Sequence, residues 1–477
     1  MGRSAHTRRE LLAASTGTLA GVLALPALAR AGRGGQTRPG TVALGDVPRR
    51  GVTVELDANA DLVGLQWERP AAAAIRLRFR GAGGRWSEWV SAGEAGHGPD
   101  VPAAGPVTGE PVWTGGTRTV QLVPDRPLAG ARLRTVDVSA GAGARNRARP
   151  AASRPLAEPR LDAGAGQPAI WARSAWAGSD SPPAVAPEYG NVELAFVHHT
   201  DNPNGYSPGE VPAMVRGIYV FHRFVNGWND IGYNFLVDLY GGIWEARAGG
   251  IDQSVVGAQA GGFNTSSTGV AMLGTFSSVD ISSAARRSLE ALLSWKLALH
   301  GVPSAGEVTV RATRGAQRWS IHRPGERVIL PRIAGHRQAD LTDCPGNVLF
   351  AHLPSVRQTV HGSFPEGARL SAALARPAQQ PPTAVREVQG RLARQDGRAI
   401  AGARVLVQAR DVSRRGERVS ERTLATAVTD GGGAWHATVP AARGAAVRAL
   451  CLDAGGLGAT RSPDLALPQV DARINAA

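Results

Sequence analysis

Five side chains of this 477-residue sequence are equipped for metal or nucleophilic chemistry. "LAFVHHTDNP" places His198 and His199 at the end of an apolar run. "WNDIGYNFLV" places Tyr233 at the start of another, and "AGHRQADLTDCPG" supplies His336 and Cys344. Zinc takes four ligands, and a catalytic zinc keeps one of those positions for water. Two imidazoles and one thiolate meet that count, because a coordinating thiol gives up its proton to the metal. Taken singly, each signal is ordinary. A lone buried histidine is more often a satisfied core residue, and a lone cysteine is usually a small apolar filler. The chain has two cysteines, and Cys451 in "VRALCLDAG" sits in a strand-like run far along the sequence. A bridge between them would have to cross domains, so Cys344 calls for another partner.

The elements that must hold these residues belong to a region of mixed helix and strand, 168–362. "SPGEVPAMVRGIYVFHRFVNGW" predicts a helix in which Ser207 caps, Pro208 opens the first turn and Glu210 completes a capping box. Val211, Met214, Val215, Ile218 and Val225 fall on one face of it. "NFLVDLYGGIWEAR" reads as a hairpin turning at Gly241-Gly242, and "TGVAMLGTF" as a buried strand. "SSAARRSLEALLSWKLALHG" predicts a second helix that stops at Gly301.

On either side the pattern turns to β-structure. Residues 41–140 hold short alternating runs such as "GVTVELD", "AIRLRFRG" and "RTVQLVP", with Trp67, Trp86, Trp89 and Trp113 alternating with polar residues. These tryptophans either fill a sandwich core or stack on carbohydrate. An Ala/Arg/Pro/Gly linker, 141–167, leads into the central region, and a Pro-rich linker, 363–382, leaves it. Residues 383–470 again give short alternating strands, with a turn at Asp430-Gly431-Gly432-Gly433, and resemble the transthyretin-like or carboxypeptidase-regulatory-like modules. The expected fold is therefore multidomain: a central α/β domain with a mixed sheet flanked by helices, between N- and C-terminal β-sandwich-like domains.

At the start, Arg8-Arg9, Leu11-Leu12 and an apolar run ending in Ala27-Leu28-Ala29 read as a twin-arginine export signal over residues 1–31. The run is too short and weakly apolar for a spanning helix, and no later segment is apolar enough to span. The expected product is a secreted or cell-wall protein exported folded, which suits one that takes up a metal before export. The net charge of +14 attracts polyanions. It is carried almost wholly by scattered arginines, Lys296 being the one lysine, and no RNP motif, basic helix or repeated finger accompanies it. No nucleic-acid partner is expected; anionic cell-envelope polymers fit the charge equally well.

The motifs occur together in a telling order. "HHT", then "WNDIGY", then "GHR", then "TDCPG" resembles the zinc amidases related to peptidoglycan recognition proteins and the type 2 N-acetylmuramoyl-L-alanine amidases, with Trp176 in "ARSAWAG" matching their opening motif. The resemblance covers residues 168–362. It implies that His198, His336 and Cys344 hold Zn2+, while His199 points to the other side of its strand. It implies Tyr233 as the catalytic phenol donating to the developing oxyanion, with Thr342 beside the reacting centre. His222, Trp228 and Asn264 would line the substrate groove. The implied reaction is hydrolysis of the lactyl-amide bond between N-acetylmuramic acid and L-alanine in peptidoglycan. Gln259, Thr275 and Tyr240 stand where that family often has His, Asp and Asp, which bears on stem-peptide preference. A peptidoglycan-binding protein without catalysis, and a zinc peptidase of the stem peptide, are the alternatives; members that only bind typically lack the cysteine. The flanking β-domains are expected to hold the protein on the wall.

Overall fold

The computed structural model describes residues 39–68, 73–81, 83–94, 96–100, 105–138, 160–161, 167–177, 181–300, 302–313, 319–362, 368–375, 385–394, 397–412, 419–440, 446–451, 460–462 and 465–466. The twin-arginine stretch and most of the 141–167 linker lie outside them. Among the described residues, no helix is long and apolar enough to cross a membrane.

The central domain is built on one mixed sheet. Its strands are β8 (Arg160–Leu161), β9 (Ile170–Trp171), β10 (Leu194–His199), β11 (Phe235–Val237), β12 (Ile243–Glu245), β13 (Ser267–Met272) and β16 (Ile333–Gly335). They lie in the order β16-β10-β13-β11-β12-β9-β8. The strands β10, β11, β13 and β16 run parallel to one another, while β11 and β12 pair antiparallel in the hairpin expected around Gly241, whose φ of 86° suits glycine. The hairpin β14 (Glu307–Arg311) and β15 (Arg327–Pro331) stands beside it.

Helices cover both faces of this sheet. On one side α3 (Ser283–Leu299) and α4 (Asn347–Gly362) pack Leu289, Leu292, Leu293, Leu353 and Val356 onto Ala195, Val197, Val237 and Met272. On the other, the short α1 (Ser174–Ala177) and α2 (Val211–Phe224) pack near Tyr233, Leu236 and Ala271. The helix begins at Val211, because Pro208–Glu210 forms a 3-10 turn ahead of it. The expected capping box is present, the Glu210 carboxylate accepting from the Ser207 N–H and hydroxyl, both at 2.8 Å. Val225 falls just past the helix end. Ser282 caps α3, accepting from the Ala285 N–H at 3.0 Å. That helix stops at Leu299, and Gly301 lies outside the described residues.

The N-terminal strands are β1 (Gly40–Val47), β2 (Val52–Trp67), β3 (Ile75–Phe79), β4 (Val90–Ser91), β5 (Val107–Thr108), β6 (Val112–Pro124) and β7 (Leu128–Val136). Among the described residues all seven join one sheet, not the two of a sandwich. The sixteen-residue β2, irregular between Glu55 and Leu62, pairs with β6, β7 and β5 along its length and so ties together what two sheets would separate. The four tryptophans divide. Trp67 is core; Trp86 and Trp89 lie under Arg78, with Arg76 and Arg80 alongside; Trp113 leaves the domain altogether. With Leu62 and Val136, Trp113 packs on Val211, Met214, Ile218 and Phe221 of α2. Gly64 is needed in that joint, since a Cβ there would stand 2.3 Å from the Phe221 ring. Two domains thus share one apolar cluster.

The C-terminal domain is a sandwich of a four-stranded and a five-stranded sheet enclosing Val388, Leu392, Val405, Val407, Trp435, Val447 and Cys451. Its pairing reaches back into the Pro-rich linker: Ala368–Leu370 and Ala373–Leu374 add to Val385–Arg394, so part of that linker is strand. Leu406 and Leu450 pack on the α3 side of the central domain. Neither Cys344 nor Cys451 is in a disulfide.

Candidate metal centre

Parallel pairing brings the chemistry together. Val197 of β10 lies opposite Gly335 of β16, so the next residues, His198 and His336, leave the carboxyl ends of neighbouring strands side by side. That end of a parallel sheet is where open α/β folds place their sites. The period of two turns His198 to the α2 side and His199 to the α3 side, as expected. Their environments agree: the His199 Nδ1 accepts from the Phe276 N–H at 3.4 Å. Cys344 arrives on the loop before α4. Gly346 closes that loop with φ 91°, where a Cβ would strike the Phe276 backbone at 2.4 Å, so "CPG" has to end in glycine.

The nitrogen and sulfur donors of His198, His336 and Cys344 lie within 4.8 Å of one another, all buried. Each imidazole is held from behind. The His198 Nε2 is 2.5 Å from the Gln259 Oε1, which fixes Nε2 as the protonated nitrogen and turns Nδ1 toward the Cys344 sulfur at 3.7 Å. The His336 Nε2 is 2.9 Å from the Asp340 Oδ2, while the His336 Nδ1 is buried with no hydrogen-bond partner. A buried nitrogen left unpaired beside a second nitrogen and a sulfur fits a cation, and two imidazoles with one thiolate form a set that zinc takes. Burial holds both imidazoles well below their usual pKa, leaving them neutral, as ligands must be. Burial also pushes the Cys344 thiol well up, although its sulfur accepts from the His199 N–H at 3.3 Å; a cation would reverse that shift.

Gln259 and Asp340 were not singled out as site residues by the sequence. Gln259 touches His198 directly, so its departure from the usual histidine bears on the metal centre as well as on substrate. Burial pushes the Asp340 carboxyl up to about 8. A cation on the opposite ring nitrogen would favour the carboxylate, the form that accepts from Nε2–H. Partners of this kind tune metal affinity by roughly 10–100-fold. Asp340→Asn is therefore expected to weaken zinc binding by about that factor, measured by competition with a chromogenic chelator.

The remaining predicted residues cluster around this centre. The Tyr233 ring lies 5.3 Å from that of His198 and 5.9 Å from that of His222. "DIGY" places it there because Asp230 pairs with Arg173 at 2.8 Å and accepts from the Ile231 and Ala248 N–H groups. The His222 Nδ1 accepts from the Gly232 N–H at 3.0 Å, and its ring lies tilted against Trp228, 4.5 Å between centroids. The Thr342 hydroxyl oxygen accepts from the Cys344 N–H at 3.2 Å. Asn264 braces the Gln259 loop, its Oδ1 accepting from the Gln259 and Ala260 N–H groups. One further side chain enters from the N-terminal domain. His97 lies 5.3 Å from Tyr233 and 5.9 Å from His336, ring to ring, with its Nδ1 3.2 Å from the Glu110 carboxylate.

Residues 188–347 match the family model described as N-acetylmuramoyl-L-alanine amidase. The central domain is of the Amidase_2 family. Residues 28–156, including the segment that carries His97, match the model described as Rv3811 N-terminal galactose-binding domain-like. The chain is 26% identical to peptidoglycan-recognition protein LB of Drosophila melanogaster over 233 residues, covering 49% of this chain and 88% of that protein. It is 31% identical to the N-acetylmuramoyl-L-alanine amidase of Homo sapiens over 194 residues, 39% of this chain but 28% of the human protein. The solved structure of Drosophila peptidoglycan-recognition protein LB aligns with 39% of this chain and 92% of its own, at 24% identity and a TM-score of 0.31.

Proposed function

We propose that this chain is a zinc-dependent N-acetylmuramoyl-L-alanine amidase that hydrolyses the lactyl-amide bond between N-acetylmuramic acid and L-alanine in peptidoglycan. The observation that carries this reading is the convergence of two neutral imidazole nitrogens and one sulfur within 4.8 Å, in a domain of the Amidase_2 family. His198 and His336 would hold zinc through Nδ1, each braced at Nε2, and Cys344 through its sulfur. Bound there, zinc supplies carbonyl polarisation and a water acidic enough to act as nucleophile near pH 7.

The chain's own residues do the rest. Tyr233 is buried, and burial first, with the Glu110 and Cys344 charges, holds its phenol protonated far above the ordinary range. It therefore stays a hydrogen-bond donor to the oxyanion that develops on the scissile carbonyl. The Thr342 hydroxyl accepts from the cysteine loop and keeps its own hydrogen for the attacking water or the oxyanion. Trp228 and His222 offer a wall for the sugar or stem peptide. Hydrolysis adds oxygen to the lactyl carbonyl carbon and hydrogen to the departing L-alanine nitrogen.

The cysteine argues against a domain that only binds, since binding needs no thiolate. Zinc analysis of the purified full chain, with a digest of purified peptidoglycan, tests the reading. Released stem peptides beginning at L-alanine, with free lactyl carboxylates on the glycan, are the expected products. New ends within the stem would make it a peptidase, and no cleavage by a zinc-loaded protein would make it a binder. Export through the twin-arginine route and residence in the cell wall belong to the same proposal, resting on Arg8-Arg9 and the apolar run behind them. The Arg76, Arg78 and Arg80 row over Trp86 and Trp89 is suited to anionic envelope polymers.

A further inference from the structure

A polymer must reach the metal centre, yet the centre is closed. His198 is 0% exposed, His336 1%, Tyr233 3%, and Trp228 and Cys344 8% each. The cover comes from the N-terminal domain. Gly96 lies against Thr342, where a Cβ on the glycine would stand 2.9 Å from the threonine Cβ. The His97 ring sits 5.3 Å from Trp228 and 5.7 Å from His222, with its Nε2 buried and unpartnered. Gly98 passes so near Trp319 and Trp228 that a Cβ would approach them to 2.7 and 3.5 Å. The Gly98 carbonyl accepts from the Asn264 amide at 2.9 Å, and the Asp100 carboxylate accepts from Asn264 at 2.7 Å and from the Gly262 N–H at 2.8 Å.

Every side chain suited to the substrate groove, namely His222, Trp228, Asn264 and Thr342, is thus already engaged by one short stretch of the same chain. The fit is built in: two glycines pass where no side chain has room, and a carboxylate is held by two donors. The domain that carries the stretch is fixed to α2 by Trp113, Leu62 and Val136, so the cover is not a chance contact between loosely tethered bodies.

We propose that Gly96–Asp100 is an intramolecular stopper of the groove, which a peptidoglycan strand must displace to reach His198, His336 and Cys344. This rests on the amidase reading for the identity of the strand. The closed form lowers apparent substrate affinity by the fraction of molecules that are open, so loosening the stopper raises turnover at low substrate.

The test uses the full chain, stripped of metal, and the alkylation rate of Cys344 by iodoacetamide read by peptide mass. Cys451, buried in the C-terminal sandwich, reports any global unfolding. Asp100→Ala and His97→Ala are each expected to raise Cys344 labelling at least tenfold while Cys451 stays protected, and the zinc-loaded variants to cleave dilute peptidoglycan faster. Unchanged Cys344 labelling in both variants would overturn the stopper. A second measurement needs no variant: excess soluble peptidoglycan strands should speed backbone hydrogen exchange at residues 96–100 and leave β6 unchanged, and exchange that stays slow there overturns the stopper as well. Faster labelling without hydrolysis by any zinc-loaded form would instead retire the amidase and leave the stopper standing.

Discussion

Cys344→Ser is expected to empty the metal centre and take hydrolysis to background. The substitution changes one atom. A serine hydroxyl does not ionise at neutral pH as a metal-bound thiol does, so the third donor and its negative charge are both lost. Structural zinc sites bind with about 10–16 kcal/mol over four ligands. Losing one anionic ligand therefore costs on the order of 3 kcal/mol or more, at least about a hundredfold in affinity. The fold should survive, because the His199 N–H that donates to the sulfur can donate to a hydroxyl oxygen. Zinc per chain after dialysis and the melting temperature of the metal-free protein, measured together, separate loss of ligand from loss of fold. A serine variant that keeps stoichiometric zinc and full rate would remove Cys344 from the centre. Zinc uptake by the wild type should also release the thiol proton, so its affinity falls as pH is lowered, a dependence the variant should lack.

Tyr233→Phe should separate the two losses: zinc retained, rate lost. The ring packs with Ile231, Leu236 and Ala271 beneath α2, and phenylalanine keeps that packing. What disappears is one hydroxyl in a dry site, held protonated by burial. Removing a single oxyanion donor typically costs roughly 10²–10³ in kcat. The check is kcat on a soluble muramyl peptide at saturating zinc, with KM recorded alongside. A fall confined to kcat places the hydroxyl at the transition state; an unchanged kcat removes Tyr233 from the mechanism.

How much of this was legible depends on how local each signal is. His198, Tyr233, His336 and Cys344 sit at ends of apolar runs or before a glycine, and a parallel sheet gathers such ends at one edge. The period of two was enough to send His198 and His199 to opposite faces. The braces were harder to see. Asp340 lies four residues after His336, but only the 3-10 turn at His336–Gln338 folds it back onto the ring. Gln259 reaches His198 from a loop 61 residues away. His97 was the real omission. It stands between glycines in "AGHGPD", with no periodicity to report and no neighbour of its own chemistry in sequence. Apart from Glu110, its neighbours come from another domain. Trp113 shows the same limit from the apolar side: alternation announces that a residue is buried, not against what. The N-terminal sheet differs from a sandwich in the choice of which strands pair, and a short alternating run says which face is buried without naming the partner strand.

The joint between β2, β6 and α2 sets the smallest piece of this protein that can stand by itself. Cut away at residue 168, the central domain would show water a flank of Met214, Ile218 and Phe221 that Leu62 and Trp113 now cover, and such bare flanks drive self-association. The same cut would carry off the plug with the cover. A trimmed chain would therefore come out both stickier and less restrained than its parent, and its behaviour would describe a molecule that the intact chain rarely becomes.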